Sequence, residues 1–456
     1  MISDLASTAG RAPVQLDCDV CIAGAGPAGI ALALTLARAR PDRTFVLLEA
    51  GGRETASGAE RDIYRVGQDG RNYSVLDISR RRMLGGTTAH WGGWCRPLDP
   101  TDFEEHPAWD QPGWPLAAEE LAPYYRRAAR WCELGSDRFD PSELVAGHPR
   151  AMLHTTRLQG IDNRLFRFSP PTRFGKRYAA DIESQANLHC YLHANLTAIE
   201  RAGGQGGGPG GPGGQRGERI GRVQARALEG GALSVSARHF VLALGGMEST
   251  RYLLNMRERD GKVGGKGDER SGTGIHSPHL GRYFADHFGL TPAHLLAPAE
   301  LQYHLFADQD RRVMPVLAFD SDTLRREQQN NTCIRLYAVA ADPVPGPAYL
   351  RQGALGFSVP GPGSDYWQYE VKLTVEPRPN PASRLRLTDE RCALGLHRLA
   401  LSWQLDDRDF ASAFALVERL AQQLGATGLG RLRFLQTLAQ AQGEQVSAGC
   451  HHMGTA

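Results

Sequence analysis

The chain has 456 residues, long enough for two or three domains and a sizeable core. Its 52 lysines and arginines against 50 aspartates and glutamates leave a formal charge of +2, which excludes a strongly basic nucleic-acid binder and an acidic disordered tail. No run approaches the roughly 18 apolar residues of a spanning helix, and no apolar stretch follows a basic start, so neither a membrane span nor a secretory leader is expected. Eight cysteines in so long a chain do not make a disulfide framework. The default compartment is therefore reducing and cytoplasmic, with periplasmic export beside a carrier subunit as the alternative.

In chain order, the first organised unit is residues 17–23 (DCDVCIA), which read as a buried strand. The turn Gly24-Ala25-Gly26-Pro27-Ala28-Gly29 follows, then a helical run, IALALTLARA, stopped at Pro41. A second strand, TFVLLE, ends on Glu49. Each part has a mechanical task at a dinucleotide. Gly24 allows the tight turn, Gly26 lets backbone approach a pyrophosphate, and Gly29 lets helix and strand sit close. Pro27 suits the first helical turn. The helix N-terminus faces the phosphates. Glu49, about 25 residues after Gly24, is placed to accept hydrogen bonds from ribose hydroxyls. The motif alone leaves FAD and NAD open; the position near the N-terminus and the sequence Glu49-Ala50-Gly51-Gly52 lean towards FAD.

Residues 80–98 (RRRMLGGTTAHWGGWCRPL) hold a second glycine-rich element. Gly85-Gly86 and Gly92-Gly93 bracket Thr87, Thr88, His90 and Trp91, so backbone N–H groups and hydroxyls can meet another section of a long cofactor. Residues 187–200 and 232–244 alternate as strands. They bring Leu196, Ala243 and Gly245 towards the same cofactor before the helical run MESTRYLLNM. Residues 203–217 (GGQGGGPGGPGGQRG) read as a flexible insertion, and 257–275 as a surface loop. Residues 115–130 form an amphipathic helix with Tyr124 and Tyr125 on its packing face, and 410–424 form another helix.

With these motifs in view, the chain resembles the glucose–methanol–choline (GMC) oxidoreductases, FAD enzymes that act on alcohols. The likeness runs through GAGPAG, LEAGG, LGGTTAHWGGW, GWPL, FSPPTRFG, HFVLALGGMESTRYLL, GRYFADH, PNPASRLRL and HHMGT, in family order. It implies an α/β chain. A Rossmann-like FAD domain (13–100, 186–290, 441–456) is interleaved with a substrate domain (101–185, 291–440) built on an antiparallel sheet with helices.

The resemblance makes His451 the base that takes the hydroxyl proton, with His452 as the lesser candidate. Histidine fits that task because its pKa lies near neutrality. A sugar or polyol is the implied substrate. The electron acceptor stays open between oxygen, a quinone and a cytochrome subunit. In some such enzymes the histidine at the position of His90 is bonded covalently to the flavin. Family members continue past HHMGT with a second catalytic asparagine or histidine, so the sequence reads as C-terminally truncated. The alternative functions are an impaired remnant, one part of a split enzyme, or a nicotinamide dehydrogenase. Cys18 and Cys21 are expected on opposite faces of a strand, as core residues. Arg80–Arg82 are expected in a solvated turn, and Asp286 and His287 in a structural role. His276 and His279, near Asp268 and Glu269, have weak metal-ligand spacing, and no metal is expected.

Overall fold

The computed structural model describes residues 1–56, 58–74, 76, 78–145, 158–202, 219–263, 277–301, 303, 305–308, 310–339, 344–345 and 365–456. Its first sheet has seven strands, in the order Ile2–Asp4, Leu188–Leu192, Phe45–Leu48, Val14–Ala23, Ala232–Leu242, Ile220–Arg226 and Asn195–Arg201. The first five are parallel and the last two form an antiparallel edge. Buried parallel strands read as continuous apolar runs, and Phe45–Leu48 (FVLL) is buried throughout.

The helix Pro27–Ala39 starts directly after Val14–Ala23. Ile30, Ala33, Leu34 and Ala37 fall on one face at helical spacing and pack on Ile22, Phe45, Leu47, Leu188 and Cys190. This close packing depends on Gly24, whose φ is +105°, and on Gly29. A Cβ at Gly29 would overlap the Gly24 carbonyl, and one at Gly24 would overlap the Ala243 carbonyl.

The second sheet is antiparallel and has ten strands. Its main order is Arg431–Phe434, Phe288–Ala297, Asp365–Val375, Thr332–Ala338, Arg311–Phe319, Ile161–Phe168 and Trp94–Cys95. The helix Asp407–Thr427 covers one face with Phe410, Ala413, Phe414, Val417, Leu420 and Leu424. Asp406 caps that helix through the Arg408 N–H, and Gly428 ends it at φ +70°. A three-stranded sheet of Arg384–Arg391, His397–Ser402 and Val66–Gln68 completes the fold. The expected mixed α/β architecture, with a Rossmann-like sheet and an antiparallel sheet, is present. No helix among the described residues is long and apolar enough to cross a membrane.

Several local expectations change. Cys18 and Cys21 pack against the same apolar cluster rather than opposite faces. The strand changes face between them because Asp19 and Val20 both donate to the Thr44 carbonyl, a bulge-like irregularity. All eight cysteines are free thiols. Tyr124 is 59% exposed and lies under the Arg127 guanidinium instead of packing inward. The helix Gly246–Val263 extends into the stretch read as a loop. The glycine-rich insertion 203–217 and His276, Asp268 and Glu269 lie outside the described residues.

Because the Gly29 Cα faces a backbone carbonyl that cannot yield, Gly29→Ala is expected to cost about 1–3 kcal/mol in urea unfolding.

Candidate functional site

The carboxyl ends of the central parallel strands open into a cleft of about 350 Å³. This is where doubly wound sheets place their ligands, because the chain leaves neighbouring strands in opposite directions. Gly24, Gly26, Pro27, Ala28, Glu49, Ala50, Gly86, Thr87, Leu196, Ala243 and Gly245 all line it. Gly26 caps the first helix without a side-chain hydrogen bond, leaving that helix N-terminus open. A Cβ on Gly26 would meet no atom within 4 Å. Its Cα therefore borders empty space rather than a packed wall, as backbone that receives a pyrophosphate requires. Gly86 sits at φ +54°, and a Cβ there would lie 3.1 Å from the Gly26 Cα, so the two glycine elements meet.

Glu49 is buried at the end of its strand. Its oxygens accept from Ala25 N at 3.0 Å and Gly51 N at 2.9 Å. Burial pushes its pKa up to about 7, with those N–H groups and the Arg82 charge offsetting part of the rise.

Arg80 and Arg82 are not a solvated turn. Their side chains are only 13% and 10% exposed, and both line the cleft. Arg80 pairs with Glu248 at 3.1 Å, and Arg82 reaches the same carboxylate at 3.9 Å. Both guanidinium groups lie over the Tyr64 ring. Arg82 also donates to the Asn195 side chain, tying this wall to the sheet edge. Glu248 comes from the helix Gly246–Val263, so the wall joins three distant parts of the sequence.

The segment Gly449–Thr455 closes the far side. Asp286 holds it: Oδ2 accepts from Gly449 N at 2.9 Å and Cys450 N at 2.8 Å, and Oδ1 accepts from His451 N at 3.1 Å. The Tyr73 hydroxyl donates to the same carboxylate. Beyond the histidines, Met453 pairs with Ala285, and Thr455 bonds Gly281 and Thr250.

The two histidines point to different places. His452 lines the cleft, with Nε2 at 3.1 Å from Ser79 Oγ. Ser79 already donates to the Leu76 carbonyl, so it accepts the His452 Nε2–H. Burial drives the His452 pKa down to about 4, aided by Arg80. His451 is exposed and lies outside the cleft lining. Its Nδ1 is 2.7 Å from Nε2 of His287. Burial lowers the His287 pKa, and a Cβ on Gly449 would overlap the His287 ring.

Of the remaining sequence candidates, Gly85, Gly29, His90, Trp91 and Gly92 do not line the cleft. His90 ends the short turn Gly86–Ala89, its N–H bonded to Thr87 O. Burial lowers its pKa, with Arg81 and Arg173 adding to the effect. Gly85 and Gly29 support the cleft from behind, and Trp91 Nε1 donates to the Thr172 carbonyl. Asp286, His287 and His451 place potential ligand atoms within 4.8 Å of one another. Three backbone N–H groups and a phenol already occupy that carboxylate, which is an anchor rather than a ligand.

Neither a family model nor a curated protein matches the chain. Solved structures do. Pyridoxine 4-oxidase from Mesorbium loti is 17% identical over 96% of this chain and 88% of that chain, with a TM-score of 0.50. Formate oxidase is 14% identical over 98% of this chain and 89% of that chain, with a TM-score of 0.54. These likenesses show the fold, which is that of the GMC oxidoreductases.

Glu49 yields a signed prediction for the cofactor-free chain. A carboxyl whose pKa is raised on folding contributes stability below its unfolded value, near 4.5, and loses it as pH climbs through 7. The stability of Glu49→Gln relative to the native chain should therefore rise between pH 4.5 and 8, by on the order of 2–3 kcal/mol in urea titrations. A pH-independent difference would contradict the burial argument.

Proposed function

We propose that the cleft binds FAD and that the chain is an FAD-dependent oxidoreductase acting on CH–OH groups. The observation that carries this reading is the joining, in one cleft, of the Gly26 backbone, the Glu49 carboxylate and the histidine segment. The pyrophosphate would lie against Gly26, Pro27, Ala28 and Thr87, and the adenosine ribose against Glu49 and Ala50, with Leu196 beside the adenine. The neighbouring folds support the class, since one solved structure is named for oxidising pyridoxine and the other formate. When bound, FAD supplies a two-electron acceptor at N5 that takes a hydride from the alcohol carbon.

His451 takes the hydroxyl proton. Burial disfavours charge on His287, so a neutral His287 accepts at Nε2 from the His451 Nδ1–H. That arrangement leaves the His451 Nε2 lone pair facing outward for the substrate. Asp286 fixes the backbone of the base by accepting its N–H. His452 remains neutral at working pH and shapes the cleft wall. The alcohol loses a hydride and a proton and becomes a carbonyl compound. A sugar or polyol is the substrate that the sequence resemblance supports. Oxygen, a quinone or a cytochrome subunit would then reoxidise the flavin. A histidyl link between His90 and the flavin is a second reading: His90 lies outside the cleft lining, but its N–H bonds the carbonyl of Thr87, which lines it. Acid precipitation tests it: a yellow pellet supports the link, and FAD left in the supernatant removes it.

Reconstitution with FAD tests the main reading. The native chain should retain a flavin spectrum after gel filtration, while Gly26→Ala should melt like the native chain yet bind FAD roughly tenfold or more weakly, because its methyl enters the pyrophosphate space. In dye-reduction assays, His451→Gln should lower kcat by roughly 10²–10⁴-fold with FAD retained. A chain that folds but binds no flavin would overturn the assignment.

A further inference from the structure

The antiparallel sheet has a covered face and an open one, and strand register shows which residues share each. Ile334, Leu336, Val371, Leu373 and Val375 enter the core. Their neighbours Cys333, Arg335, Lys372 and Thr374 therefore face the other way. Gly289 pairs with Thr374, which pairs with Cys333, placing Gly289 on that open face too. His287 lies two residues before Gly289, so alternation directs it to the same side, where it meets His451.

Arg335 stands out on this face. Its guanidinium carbon lies 5.5 Å from the Trp94 ring centroid and 5.7 Å from that of Tyr337, and Nη1 donates to the Tyr337 hydroxyl at 3.2 Å. Its Nε is buried without a hydrogen-bond partner. No carboxylate among the described residues forms an ion pair with it. The fully buried Arg167 and Arg251, by contrast, are paired with Asp308 and Glu248. Lys372, opposite Arg335 in register, has Glu370 as its counter-ion at 2.9 Å, so the local charge balance leaves the guanidinium uncompensated. A cation beside two aromatic rings and without a carboxylate partner is pre-organised for a planar anion. Its charge also extends to His287, adding to the burial that keeps that imidazole neutral.

We propose that Arg335 receives the carboxylate of a substrate whose oxidisable hydroxyl lies at His451, making the substrate class hydroxy acids. The proposal rests on His451 as the proton acceptor. It adds to that reading a second point of attachment on the same sheet face. The Trp94 ring supplies an apolar wall beside the ion pair, and a carboxylate can engage a guanidinium through two N–H groups at once.

Calorimetric titration of the FAD-loaded chain with benzoate, and with neutral benzamide, separates the recognition step from turnover. Benzoate should bind saturably. Arg335→Gln should weaken it roughly tenfold or more and leave benzamide unchanged. If Arg335→Gln does not fold, Arg335→Lys decides, with a several-fold loss for benzoate alone. Benzoate binding that is unaltered in the variant, or equal for benzoate and benzamide in the native chain, overturns the proposal. Dye reduction with hydroxy acids and their methyl esters separates its failure from that of the broader reading. Esters oxidised as well as acids would sink the Arg335 assignment and leave the alcohol oxidoreductase standing. Flavin reduction by neither, with sugars or polyols still oxidised, would sink the hydroxy-acid class and leave the His451 reading standing.

Discussion

The carboxylate of Asp286 accepts three consecutive backbone N–H groups, from Gly449, Cys450 and His451, together with the Tyr73 hydroxyl. Short loops with left-handed residues expose runs of N–H groups, and Cys450 has φ +67°. Without an anion at the centre, those donors would be left unpaired beside buried structure. With it, three consecutive backbone N–H groups of the histidine segment are pinned to one carboxylate. One histidine then faces the cleft and the other turns towards His287. The placement of both imidazoles, and so the chemistry proposed for the chain, follows from this contact.

The same economy operates around the cleft. Gly24 and Gly29 are glycines because backbone stands where a Cβ would go, whereas Gly26 is a glycine with open space beside it. These are two different physical reasons, and only the second concerns a ligand. Around that space the protein sets one buried carboxylate, Glu49, held by backbone donors, and a second, Glu248, held by arginines. These carboxylates are held by partners within the wall itself, so they are pre-organised before any ligand arrives.

Much of this was legible in the sequence where the determinants are local. The strand, glycine turn, helix and acid between Asp17 and Glu49 form one contiguous unit, so periodicity and punctuation sufficed. The long helix Asp407–Thr427 was legible for the same reason. What escaped was set by distant partners. Arg80 and Arg82 read as solvated because Glu248, which buries them, lies far along the chain. The face change between Cys18 and Cys21 depends on the Thr44 carbonyl, just before the neighbouring strand Phe45–Leu48. The pairing of His287 with His451 joins two sequence motifs that carry no mark of one another. Arg335 sits in an unremarkable strand, and its lack of an ion-pair partner among the described residues emerges only from the folded arrangement.

The most direct test is a crystal structure of the chain grown with FAD. The account predicts the pyrophosphate against the Gly26 backbone, the ribose hydroxyls on Glu49 and the isoalloxazine ring beside the His451–His287 pair. Density that places the dinucleotide outside this cleft, or the ring remote from both imidazoles, would contradict it.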